Sequence, residues 1–240
     1  MPERYWWGAV LSIAVGAAVA ATAVLTTSGS AHSAQPVVVT PAQQADQAVR
    51  ALWRTKPVEQ VFAATVTLGS QYVRLGIAGA AGCEVLPKPF VAALADDAPG
   101  TSCVKVLRAT YTDVTQTVFA TVGVVVIDGD AAARDRVWRQ WTPDSASKRP
   151  ELMPDVFPVP GTVAAFFANT QRVVWDSQAS NDGSYLIYVV SAFGDGRTGS
   201  TDAQMRAGSG KALVADSPPV QAASGLSDLF ANEFTNTEKG

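Results

Sequence analysis

The chain has 240 residues, of which 48% are apolar and 16% charged, with a formal net charge of −3. That balance excludes the low-hydrophobicity, high-charge class of chains that stay disordered. The lack of any Lys/Arg run to track a phosphate backbone argues against nucleic acid as a partner.

In chain order, the first element is apolar. After Met1-Pro2-Glu3-Arg4, the stretch from Tyr5 to Thr27 holds no charged residue, and about 20 such residues suffice for a helix to cross a bilayer. Tyr5, Trp6 and Trp7 open it. Rings with one polar end prefer the headgroup level, so these three are expected to anchor a transmembrane helix at the interface with the lipid bilayer. Arg4 precedes the segment and the next cation is Arg50, which predicts a single pass with the N-terminus inside and the rest of the chain outside the cytoplasmic membrane. The competing reading is a cleaved signal peptide and a secreted product, because Gly29-Ser30-Ala31 and Ala31-His32-Ser33 offer small residues for cleavage. An apolar core longer than the roughly 7 to 15 residues of a signal, together with the aromatic start, favours the retained anchor.

The expected organisation is a cytoplasmic stub and anchor over 1–27, a flexible spacer over 28–40, an extracytoplasmic domain over 41–231 and a disordered polar tail over 232–240. The domain portion, about 190 residues, suits one domain or two small ones. Pro41 to Arg54 carries Ala45, Ala48, Val49, Leu52 and Trp53 at helical spacing, which predicts an amphipathic helix packed on its own domain.

Cys83 and Cys103 are the only cysteines. Beyond a membrane anchor they would sit in an oxidising compartment and are expected to form a disulfide. The bridge would close a loop of about 20 residues, stabilising the fold by roughly 3 kcal/mol in the chain-entropy model. A metal centre needs more ligands than two thiolates.

Further along, the pattern turns to strands. Val104 to Thr112 alternates with a phase slip between Val106 and Leu107, the mark of a bulge or of a strand covered on both faces. Thr117 to Ile127 is a β-branched and aromatic run, and the short Asp113 to Gln116 link makes the pair a hairpin. Asp130 is placed to cap a helix from Ala131 to Trp141, with Ala133, Val137, Trp138 and Trp141 on one face and Arg134, Asp135 and Arg139 mostly on the other. A Pro-rich connector from Thr142 to Gly161 follows, and Thr162 to Asn169 fits helix or strand equally. Arg172 to Gln178 and Tyr185 to Phe193 flank the turn residues Ser180 to Ser184, predicting a second hairpin with Tyr185 to Phe193 in mid-sheet. A short helix is expected from Pro219 to Phe230. The fold class is therefore α+β, a mainly antiparallel sheet of two hairpins with helices packed on it, preceded by the transmembrane helix.

The chemistry is narrowed by what is scarce. The single histidine, His32, lies in the spacer, so Ser-His-Asp and Cys-His arrangements lack their base. Gly194-Asp195-Gly196-Arg197-Thr198-Gly199 matches G-x-G-x-x-G, but that fingerprint works by starting a helix in a parallel βαβ unit, and here a mobile turn is expected. Gly208-Ser209-Gly210-Lys211-Ala212 lacks the spacing of a phosphate loop. Carboxylate chemistry remains, with Glu84, Asp96, Asp97, Asp113, Asp128, Asp130, Asp155 and Asp176 as its pool. Most of these fall at turns, caps or solvated loops, and Asp113 and Asp176 are the least explained. No catalytic, cofactor-binding or metal-ligating residue is assigned.

Gly82-Cys83, Cys103 to Tyr111, Ala120 to Val126 and Tyr185 to Arg197 resemble stretches of membrane-anchored envelope proteins of high-GC Gram-positive bacteria. The resemblance covers about half the chain and implies a cell-envelope setting, without carrying over any site. The expected function is a non-catalytic binding or accessory domain whose partner is an envelope protein or a wall polymer. The alternatives are a carboxylate-dependent wall-glycan hydrolase, or a sensor ectodomain acting through a membrane partner.

Overall fold

A computed structural model of the protein describes residues 40–141, 149–197 and 217–235. Tyr5, Trp6, Trp7, the apolar segment, His32, Gly208 to Ala212 and residues 236–240 lie outside the described residues. Among the described residues no helix is long and apolar enough to cross a membrane.

Six strands form one curled sheet in which every ladder is antiparallel, in the order β1-β2-β3-β4-β6-β5. They are β1 (Thr65–Leu68), β2 (Ser70–Ala81), β3 (Ser102–Asp113), β4 (Val118–Asp128), β5 (Val174–Ala179) and β6 (Tyr185–Phe193). The α+β class and both expected hairpins, β3–β4 and β5–β6, are present, with β6 inside the sheet. A third hairpin, β1–β2, corrects the expected two. Its second strand carries Gly76, Ala78, Gly79, Ala80 and Ala81, residues depleted in strands, so local preference hides it.

Among the described residues five α-helices accompany the sheet: α1 (Pro41–Thr55), α2 (Val58–Val61), α3 (Lys88–Asp97), α4 (Ala131–Gln140) and α5 (Pro218–Thr235). Helix α1 begins with a capping box, in which Gln43 N donates to Thr40 Oγ1 and Thr40 N donates to Gln43 Oε1 at 2.8 Å. These reciprocal bonds satisfy backbone donors that a helix start leaves open. Helix α3 lies inside the loop between the cysteines, and α5 runs on to Thr235, past the 231 boundary expected for the domain.

Both faces of the sheet are covered. On one, α5 and the Val49, Leu52 and Trp53 stripe of α1 pack over Tyr111, Val122, Tyr185, Ile187 and Val189. On the other, α3, α4 and the 150–173 connector cover Val106, Val125, Trp175, Leu186 and Tyr188. Val106 belongs to one core and Leu107 to the other, which explains the phase slip read there. A register irregularity does occur in β3, but between Cys103 and Lys105.

Asp130 caps α4 by accepting from Ala133 N at 2.7 Å. The face expected for α4 is rotated. Ala133, Val137 and Trp141 are buried, but Trp138 is exposed and Arg134 is buried. Arg134 Nη1 donates to the Gly129 carbonyl and Nε to that of Asp182, so its charge is solvated by backbone oxygens. The Asp182 carbonyl belongs to the β5–β6 turn, where Gly183 has φ +66° and a Cβ would fall 2.0 Å from Arg134 O. Only glycine fits where turn and helix backbone meet so closely.

Candidate functional site

Asp113 and Asp176, the acids least explained by the sequence, each have a structural partner. Asp113 closes the β3–β4 turn, accepting from Val118 N at 2.8 Å, from Thr115 N, and from the Thr115 and Thr117 hydroxyls. Burial alone would raise its carboxyl, but these bonds outweigh burial and hold it below the ordinary aspartate value. Asp176 on β5 accepts from Ser227 Oγ at 2.6 Å and ties the edge strand to α5. In register, Asp176 aligns with Val189, Val122 and Ala109, so the two acids are three strands and four residues apart. That is roughly 20 Å along the sheet, outside the 5–10 Å, approximately, at which paired carboxylates cleave a glycosidic bond.

Of the other candidates, Glu84 and Asp96 are exposed, Asp130 caps α4, and the rest are engaged. Asp97 pairs with Arg149, so it belongs to the end of α3 and not to a solvated loop. Asp155 accepts from Asn169 Nδ2 at 2.8 Å, Asp128 from Gly129 N, and Asp182 from Ser180 Oγ and Ser184 N. Residues 194–197 form a turn after β6 closed by an Asp195–Arg197 ion pair, while Thr198 and Gly199 lie outside the described residues. Among the described residues no three His, Cys, Asp or Glu side chains gather as metal ligands would.

Cys83 and Cys103 are joined as a disulfide with Cα atoms 6.0 Å apart. The bridge ties the chain after β2 to the start of β3 and packs against the core beneath α3.

That same core carries an arrangement the sequence did not reveal. Register places Ala78, Arg108, Gly123, Tyr188 and Ser177 in one row straight across five strands, side chains on the α3 face. A Cβ at Gly123 would fall 2.1 Å from Tyr188 Cζ. The phenol end of Tyr188 therefore lies over the glycine, directed along the row toward Arg108. Arg108 is half-buried, and its guanidinium carbon sits 5.5 Å from the centroid of the Phe157 ring. Phe157 is held there by the neighbouring row: its N donates to Thr121 Oγ1 at 2.9 Å and its carbonyl accepts from Thr110 Oγ1.

Tyr188 Oη, Arg108 Nε and Ser177 Oγ are all buried without a hydrogen-bond partner among the described residues. So are the indole nitrogens of Trp141 and Trp175, whose rings, with that of Tyr188, surround Phe90 at 4.9–6.2 Å between centroids. Burial pushes the Tyr188 phenol well above its ordinary value, with the Arg108 charge acting the other way.

A second feature lies in the connector. Thr162 to Ala168 folds as tight turns, with Ala165 N donating to Thr162 O and Phe167 N to Ala164 O, both at 3.1 Å. This lifts Phe166 to 87% exposure and Val163 to 46%, beside an open groove lined by Val156, Pro158, Ala165, Phe167 and Asn169. The segment is neither the helix nor the strand that its pattern allowed.

Compared with protein-family models, with curated proteins and with solved structures, the chain matches none.

Proposed function

We propose that the domain is a non-catalytic binding or accessory module, tethered outside the cytoplasmic membrane by its N-terminal segment and offering an apolar knob to a protein partner in the cell envelope. The observation that carries this reading is Phe166, almost fully exposed on a loop fixed by its own backbone hydrogen bonds. A large aromatic held rigidly in water costs little entropy to dock and supplies the area on which binding hot spots are built. The engagement of Asp113 and Asp176 in turn and helix contacts weighs against the glycan-hydrolase alternative. The uncharged stretch from Tyr5 to Thr27, headed by Tyr5, Trp6 and Trp7, supports attachment to the bilayer. The disulfide supports an oxidising compartment.

The test is in-cell crosslinking of tagged full-length protein beside a Phe166→Asp variant. A protein partner captured by the parent and lost from the variant at equal expression is the expected result. Capture of the same partner by both, or recovery with wall-glycan fragments alone, would overturn the assignment of the knob.

A further inference from the structure

We propose that Arg108 and Tyr188 form a binding site for one carboxylate group of a small ligand, held against the ring of Phe157. Three observations converge on it. Arg108 makes neither an ion pair nor a hydrogen bond among the described residues, and its one polar partner is the face of the Phe157 ring. A cation–π contact uses no N–H hydrogen bond, so it leaves the N–H groups that grip a carboxylate in a fork. The hydroxyl of Tyr188, fully buried and unpartnered, lies over Gly123 next to Arg108 in the row, and a buried phenol normally donates to something.

The outer side of the row is low. Ala78 is the strand neighbour of Arg108, and Gly79 and Ala80 beside it are exposed. Ala78 is itself buried, and Arg108 is only half-buried, so a ligand reaches the guanidinium from the side that Arg108 itself keeps in solvent. One cation and one neutral donor match the single charge and two oxygens of a carboxylate better than a phosphate dianion, which recruits several cations. The carboxylate could belong to a free small acid or to the C-terminus of a peptide. This inference is independent of the Phe166 surface.

The experiment is thermal unfolding of the detergent-solubilised full chain at constant ionic strength, titrated with acetate, N-acetyl-alanine, N-acetyl-alanine amide and inorganic phosphate. A ligand that binds only the folded state raises the midpoint in a saturable way. Acetate and N-acetyl-alanine are expected to do so and the amide to have no effect. Equal half-saturation for the two acids identifies a free acid, and tighter action of N-acetyl-alanine a peptide terminus. Tyr188→Phe keeps the ring over Gly123 and removes only the unpartnered hydroxyl, so it should fold as well as the parent yet need at least about tenfold more acid. Arg108→Gln should abolish the response. An unchanged response in a folded Tyr188→Phe protein, an equal response to the amide, or a stronger response to phosphate would each overturn the proposal.

Discussion

On the face of the sheet covered by α1 and α5, buried hydroxyls reach acceptors. Tyr111 donates to the Ala63 carbonyl at 2.8 Å, Tyr185 to that of Val49 at 2.7 Å, Ser191 to that of Pro219 and Ser227 to Asp176. On the face covered by α3, α4 and the connector, the Thr110–Thr121 pair with its Phe157 clamp, Thr112 and Arg134 are satisfied, but Tyr188, Ser177, Trp141 and Trp175 have no partner among the described residues. Both faces bury large aromatic clusters, so apolar burial does not separate them. The difference lies in what the polar atoms do. A Tyr–carbonyl bond fixes a covering segment in one position on the sheet, whereas an unpartnered donor leaves desolvation uncompensated and keeps its capacity to bind. One face specifies the fold, and the other retains donors that folding does not use.

The largest expected effect tests how the second face is held. Replacing Cys83 and Cys103 by serine should lower stability by roughly 3 kcal/mol for a loop of this length, read as a lower denaturant midpoint. Hydrogen exchange should rise in α3 and early β3 while α5 stays protected; uniform acceleration would mean that the faces unfold as one.

Next is Gly123→Ala, which sets a methyl against the Tyr188 ring and should cost about 1–3 kcal/mol by overpacking. The loss should shrink in a Tyr188→Ala background. An equal loss there would mean that Gly123 matters for a reason other than Tyr188.

The direct comparison is between two phenols. Tyr111→Phe strands the Ala63 carbonyl and should cost about 1 kcal/mol, while Tyr188→Phe should be neutral or stabilising. Equal costs would show that Tyr188 finds a partner in solution and would erase the asymmetry.

The smallest effects are in pH. The Asp113 carboxyl lies below its unfolded value, so its contribution is complete above about pH 4 and is lost as pH falls through the lower folded value. Asp113→Asn should flatten that acid limb of the stability curve. Tyr185, pushed up to about 12 chiefly by burial, acts at the other end. Its contribution is present below about pH 10 and is lost as pH rises toward the folded value, and Tyr185→Phe should reduce the slope there.

Where side chains follow one rule, the fold was legible. The β-branched run of β4, the turn at Ser180 to Ser184, the Asp130 cap and the cysteine pair each carry a local signal that the structure repeats. The β1–β2 hairpin was missed because β1 is short and the second half of β2, Gly76 to Ala81, is mostly small residues with little strand preference of their own. Helix α3 was hidden by Pro87 and Pro89, which read as breakers although a first helical turn tolerates proline. Arg134 was assigned to solvent because charge usually points there, and one of its backbone acceptors comes from a turn 48 residues away. For the row through Arg108 and Tyr188 no local signal existed, since alignment across strands depends on register and register is not written in any single strand.

Helix α5 has a consequence for how the chain is delivered. It is the last described element, and with it arrive Leu226, Phe230 and Phe234, which share with α1 the cover of one core, together with Glu233, whose partner Lys56 stands 177 positions earlier. A chain emerging from its N-terminal end, whether from a ribosome or through a pore, completes all six strands before that cover exists. Until then Phe62, Tyr111 and Val122 face the surroundings on an otherwise formed sheet, the interval in which partly built proteins stick to one another. Any factor that attends this chain during synthesis or export therefore has one broad apolar surface to shield, and its task ends when residues 218–235 come through.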